Sequence, residues 1–199
     1  MRKLVVFVLA SLVGFSLLAG KVCAQEHISA ITWNILQPVE SFSEFIDKTS
    51  YRGFAIEGRK FYGRRLTFGM SFAINVFDEQ TTETLEIDNG AVTGKQFRWV
   101  NAFPILATSH VHLGRDGYTR PYFGVGAGAY YIKSRLEIGV EQINENQWHF
   151  GVAPEVGILF PIGYGSEFII GGKLNYAFPT SGRDEVAWVA IFLGFSSSR

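Results

Sequence analysis

From Gln147 to Phe178 the chain alternates with period two, and this alternation limits both what it folds into and which solvent it meets. Trp148, Phe150, Val152, Pro154, Val156, Ile158 and Phe160 take every second position, against Gln147, His149, Gly151, Ala153, Glu155, Gly157 and Leu159. After the turn Ile162-Gly163-Tyr164-Gly165, Phe168, Ile170, Gly172, Leu174, Tyr176 and Phe178 share one face, against Glu167, Ile169, Gly171, Lys173 and Asn175. Successive strand side chains point to opposite faces, so this is a pair of long strands, each with one large apolar face. In a water-soluble barrel that face would turn inward. Here the other face is too rich in glycine and isolated charge to pack dry, and the apolar faces are long enough to cross a hydrocarbon core as tilted strands. The pattern predicts an all-β fold, an eight-stranded antiparallel up-and-down transmembrane β-barrel that is greasy outside and wet or ion-paired inside.

Eight strands are expected at roughly 27–37, 50–61, 64–77, 92–110, 119–133, 147–160, 165–178 and 185–196. The alternation sets Phe68, Phe72, Val125, Val156, Ile158, Ile170, Leu174 and Ile191 toward lipid. The fourth strand changes phase within Phe97–Leu106, and Pro104 cannot donate a ladder hydrogen bond, so a bulge is expected near Asn101 to Pro104. Long connections are expected at 38–49, 78–91 and 134–146, with a shorter one at 179–184. Tight turns are expected around Tyr62-Gly63, Gly114-Arg115-Asp116-Gly117 and Gly163-Tyr164-Gly165. Long loops then gather at one end and short turns at the other, as in barrels with extracellular loops and periplasmic turns and termini.

The beginning of the sequence reads as an address. Arg2 and Lys3 precede an apolar run from Leu4 to Ala19, and Val22-Cys23-Ala24 supplies small residues before Gln25. This layout predicts a signal peptide over 1–24, cleaved to leave a single barrel domain, 25–199. Cys23 leaves with the leader, so neither disulfide nor thiol chemistry is expected. Of 18 Lys and Arg three go with the leader, leaving 15 against 18 Asp and Glu, a formal charge of −3. No basic stripe points to nucleic acid.

The run from Arg120 to Tyr130 (Arg-Pro-Tyr-Phe-Gly-Val-Gly-Ala-Gly-Ala-Tyr), the Trp33-Asn-Ile-Leu-Gln-Pro38 start and the apolar closing strand resemble the small outer-membrane protein β-barrel family of Gram-negative bacteria, the OmpA-, OmpX- and OmpW-type barrels. The resemblance covers essentially the whole mature chain. It implies residence in the outer membrane among lipid and lipopolysaccharide. It also implies insertion by the barrel-assembly machinery through a last strand ending in an aromatic residue. The chain departs from that pattern, because Ser196-Ser197-Ser198-Arg199 follows Phe195.

Glu57, Arg59, Arg65, Glu155, Glu167 and Lys173 are expected on inward faces. An eight-stranded barrel is just wide enough for side chains to fill, so these charges should pair across the lumen. His110-x-His112 places two imidazoles on one strand face but lacks a third ligand nearby. They are expected to be solvated near a short turn, and no metal or cofactor is expected. Ser109 and His110 point to opposite faces, which argues against a lipid-A-modifying enzyme. Gly124-x-Gly126-x-Gly128 lies mid-strand without a following helix, so it is no dinucleotide fingerprint; its glycines make room for Tyr122, Tyr130 or neighbouring strands. Residues 39–48 can form a short amphipathic turn of helix around Phe42, Phe45 and Ile46, while 78–88 is acidic. The expected function is a non-enzymatic, porin-like envelope barrel with a filled lumen, acting in envelope integrity or surface interaction through its loops. A narrow conduit for small hydrophobic or ionic solutes is the alternative, followed by a lipid-A-modifying enzyme; a soluble lipocalin-type barrel is the structural rival.

Overall fold

A computed structural model describes residues 27–198 apart from 88–89, 115–116, 139–140, 164 and 181–183. The leader, Cys23 and Gln25 lie outside the described residues. So do Asp88 of the acidic stretch, the centres of two short turns and the middle of the last connection.

Among the described residues the strands are β1 (His27–Val39), β2 (Ser50–Tyr62), β3 (Leu66–Ile87), β4 (Gly90–His112), β5 (Arg120–Ile138), β6 (Glu141–Gly163), β7 (Ser166–Ala177) and β8 (Val186–Ser198), with a short helix, α1 (Ser41–Phe45), between β1 and β2. Each strand pairs antiparallel with its chain neighbour, and β1 closes on β8 from Ile28↔Ser198 to Val39↔Ala187. Closure leaves no strand edge to find a partner, the condition for a sheet to stand in hydrocarbon. His27 pairs with Lys60, next to the β2–β3 turn, so both ends of the described chain lie at the short-turn end. The turns there use glycines at positive φ, among them Gly63 at 79° and Gly165 at 76°, where a side chain would strain the backbone.

The exterior carries a continuous apolar surface. Ile56, Met70, Phe72, Ile105, Val125, Val156, Ile170, Leu174 and Ile191 are exposed along its middle, with Ile158 half-buried on the same face. Toward the loop end stand Trp33, Tyr51, Trp148, Phe150 and Phe178; toward the turn end, Tyr62, Phe68, Phe123, Phe160 and Phe195. Twelve residues separate Trp148 from Phe160 along β6. At about 3.3 Å per residue and a tilt of about 40°, they stand about 30 Å apart in height, the thickness of a hydrocarbon core.

Three sequence expectations change. The segments 78–87 and 90–91 continue β3 and β4 as a paired ribbon, with Thr81↔Gln96 through Ile87↔Gly90 in register. Likewise Ser134↔Glu145 through Ile138↔Glu141 extends the β5–β6 pair. The expected loops are therefore paired strand extensions, as the β propensity of β-branched residues such as Thr81, Thr82 and Thr84 allows. The third change concerns Pro104. Its register is unbroken on both sides, from Phe72↔Ile105 to Asn75↔Ala102 and through Pro104↔Tyr130, so there is no bulge. Only the two pairs facing β3 are lost, and Val100, Ala102, Pro104, Leu106 and Thr108 all stay on the inward face. Register shifts occur instead between Asn34 and Leu36 and between Pro161 and Gly163.

Candidate functional site: the filled lumen

Glu57 and Arg59 lie two residues apart on β2, which puts both side chains on one face and inside the barrel. The guanidinium grips that carboxylate with two contacts, Nε to Oε1 and Nη2 to Oε2, both 2.8 Å. It also reaches across the lumen to Glu155 of β6, 3.2 Å away. Glu155 stands directly opposite Lys173 in the β6–β7 register, and their Oε2 and Nζ are 2.6 Å apart. The Tyr122 hydroxyl donates to Glu155 Oε1 at 2.7 Å, the Thr108 hydroxyl to Glu57 at 2.8 Å, and Arg59 lies 5.0 Å from the Tyr122 ring centre. Two carboxylates and two cations thus meet in a layer of no net charge. Burying such charges is costly unless they are paired, and here each has an ion-pair partner of opposite charge.

Glycines make this layer possible. A Cβ on Gly124 would come 2.1 Å from the His110 ring, and one on Gly157 would come 2.6 Å from the Tyr122 ring. Room for the tyrosines therefore comes from β6, since Gly151 opposes Tyr130 in the same way. The glycines of β5 admit His110, Leu106 and the β4 backbone.

A second pair closes the turn end. Arg120 donates to Glu167 at 2.6 Å, Ser196 donates to the other carboxylate oxygen at 3.2 Å, and the guanidinium lies 5.8 Å from the Phe61 ring centre. The residues after Phe195 therefore remain in the last strand, and Ser196 serves the lumen. At the loop end the plug is apolar. Phe42 and Ile46 of the α1 segment fold inward onto Leu36, Phe77, Val100, Tyr130 and Trp188, with Phe42 edge-on to Phe77 at 5.1 Å. Arg98 donates to the Phe45 carbonyl at 3.0 Å, and the Ser41 hydroxyl to the Glu185 carboxylate at 2.9 Å. The Glu185 carboxyl is held below its ordinary range by its own backbone N–H and then by that hydroxyl. Between plug and ion pairs lies a cavity of about 30 Å³ bordered by Asn34, Ser71, Asn75 and Asn175, room for two or so waters.

Of the expected lumenal charges, Glu57, Arg59, Glu155 and Lys173 come together and Glu167 stands apart with Arg120. Arg65 does not join them. It sits exposed in the β2–β3 turn, one residue before the ladder begins, where the strand phase no longer directs its side chain inward. His110 and His112 are not solvated but buried in the lumen, His112 within 3.3 Å of the Thr67 hydroxyl. His149 is also buried inward, its Nδ1 2.9 Å from the Phe178 carbonyl. Arg120 and Tyr122 had no place in the expected charge network, although both fall on the inward face that the β5 alternation already indicates.

Glu57, His110 and Glu155 bring one donor atom each within 4.8 Å of one another. This set does not suit a metal ion. Both carboxylates are already neutralised by Arg59 and Lys173, so a dication would charge a balanced, confined layer.

Fold and lumen together define a small eight-stranded β-barrel of the outer-membrane type, with an apolar exterior and an interior closed by side chains. No family model matches the sequence, and no curated protein matches it. Among solved structures the chain is similar to the outer membrane protein OprG from Pseudomonas aeruginosa, at 13% identity and a TM-score of 0.58 over 88% of this chain and 96% of that one. It is similar also to Neisserial surface protein A, at 13% identity and 0.55 over 86% and 96%. A third is Ail, the attachment invasion locus protein of Yersinia pestis, solved with the heparin analogue sucrose octasulfate, at 14% identity and 0.52 over 89% and 100%. What the chain shares with these proteins is the fold.

Proposed function

We propose that this chain is a non-enzymatic outer-membrane barrel of a Gram-negative envelope, acting in envelope integrity or surface interaction through its loop end rather than by conducting solutes. The observation that carries this is the lumen. Among the described residues an apolar plug, a four-charge layer and a second ion pair lie one after another across it; its central cavity is only about 30 Å³, and a wider pocket of about 230 Å³ lies beside the plug at the loop end. The signal peptide at 1–24 would export the chain, and the barrel-assembly machinery would insert it with both termini and the short turns in the periplasm. The β3–β4 and β5–β6 ribbons and α1 would then face outward among lipopolysaccharide. Ser109 and His110 lie on opposite faces of β4, which gives no hydrolytic pair.

Expression of the full chain followed by cell fractionation tests this. The protein is expected in the outer-membrane fraction, migrating differently on gels before and after boiling, because a closed ladder resists detergent until heated. Recovery as a soluble periplasmic protein would overturn the proposal in favour of a lipocalin-type barrel. Altered lipid A mass on expression would replace it with an enzyme.

A further inference from the structure

On the outer wall, just loopward of the aromatic row, the extended ribbons form an open recess of about 530 Å³. Arg52, Trp99, Lys133, Arg135, Asn144 and Asn146 line it from β2, β4, β5 and β6. Lys133 and Arg135 follow Tyr131 at two-residue steps along β5, and Asn146 and Asn144 precede Trp148 in the same way on β6. The cations thus stand immediately beyond the band that faces hydrocarbon. Arg135 lies 5.5 Å from the Trp99 ring centre and Lys133 5.3 Å from that of Tyr131, so aromatic faces hold both at the wall. Arg52 pairs with Asp78 at 3.0 Å and Arg135 with Glu137, whereas Lys133 has no carboxylate partner among the described residues. Three cations face two acids, with the amides of Asn144 and Asn146 as further donors.

We propose that this recess seats the phosphate-bearing headgroup of an outer-leaflet glycolipid whose acyl chains run down the adjoining apolar wall. Arginine forks and a lysine point charge are the groups that recognise phosphate. A lipid fits better than a free anion because the recess is continuous with Tyr131, Trp148 and the apolar band. A ligand with both an anionic head and acyl chains uses both surfaces, while a soluble anion uses only one. The inference rests on the outer-membrane reading above.

The test uses the full mature barrel in phosphatidylcholine nanodiscs, with diphosphoryl lipid A or its dephosphorylated form as probe and inorganic phosphate as competitor. Wild type is expected to bind the diphosphoryl form at least about tenfold more tightly, as several charge-assisted contacts imply. The triple variant R52Q/K133Q/R135Q is expected to lose that preference while keeping heat-modifiable migration, and K133M alone to lose part of it. K60Q, exposed on the outer wall at the turn end, is expected to keep it. Retention of the preference by a folded triple variant, or by K133M if the triple variant does not fold, overturns the lipid site and leaves the barrel reading intact. Displacement of the lipid by equimolar inorganic phosphate overturns it too, by making the site one for free anions. A wild-type chain that does not insert into nanodiscs overturns both.

Discussion

Glu155 is the residue on which the charged layer converges, since Arg59 and Tyr122 donate to it and Lys173 forms an ion pair with it. Glu155→Gln is therefore expected to leave Lys173 uncompensated in a confined space, since Arg59 keeps Glu57, and to cost about 3–5 kcal/mol in unfolding stability, the usual range for a broken buried pair. Lys173→Met should cost less, because Arg59 still donates to Glu155 and the lysine side chain keeps 15% exposure. In the double variant the loss should fall short of the sum; simple additivity in urea unfolding would show that the two do not act as a pair. Gly157 gives a second, steric prediction. Gly157→Ala drives a methyl group into the Tyr122 ring and should cost about 1–3 kcal/mol as overpacking. In a Tyr122→Ala background the same change should cost almost nothing, and an equal cost in both backgrounds would exclude the ring as the cause. The inward or outward direction of each of these side chains was legible from period two alone. Which charges meet was not, because the Glu155↔Lys173 and Arg120–Glu167 contacts depend on register and on reach across the lumen, neither of which a single strand encodes.

Within single elements, β6 carries the account of the exterior. Val156 is exposed mid-band and Asn146 lies loopward of Trp148. Val156→Arg is expected to cost roughly 2–4 kcal/mol and to reduce folding into bilayers, while Asn146→Arg should cost about 0–1 kcal/mol near the interface. Equal tolerance at both positions would mean that β6 does not face lipid as described. The strands over 147–178 could be read because each has one face of large apolar residues. The extensions of β3 to β6 could not, since beyond the band neither face is apolar and a polar ladder resembles a loop in sequence. The α1 segment stands between these cases. Its Phe42, Phe45 and Ile46 spacing foretold a helical turn but not that it would fold inward against Phe77 and Trp188. Phe42→Ala should open this lid. With Trp33, Trp99 and Trp148 replaced by Phe, the fluorescence of Trp188 should become quenchable by acrylamide only in the Phe42→Ala background. Full quenching with Phe42 present would contradict the lid.

At the scale of the whole molecule, two surfaces of opposite character are built from one alternation. The outer surface is apolar over about 30 Å of height, and the interior is packed, with apolar clusters and charge-balanced ion pairs side by side. Closed ladders explain how such a sheet stands in a membrane, and the stacked lumen explains why it should not leak. The alternative, a conduit, would need that stack to part at three levels, namely the α1 lid, the Glu57–Arg59–Glu155–Lys173 layer and the Arg120–Glu167 pair. Planar-bilayer conductance of the purified, heat-modifiable barrel tests this most directly. The account predicts no stepwise ionic current from the wild-type protein at moderate voltage. Steady, voltage-independent channel openings in that preparation would contradict it and establish a continuous pore.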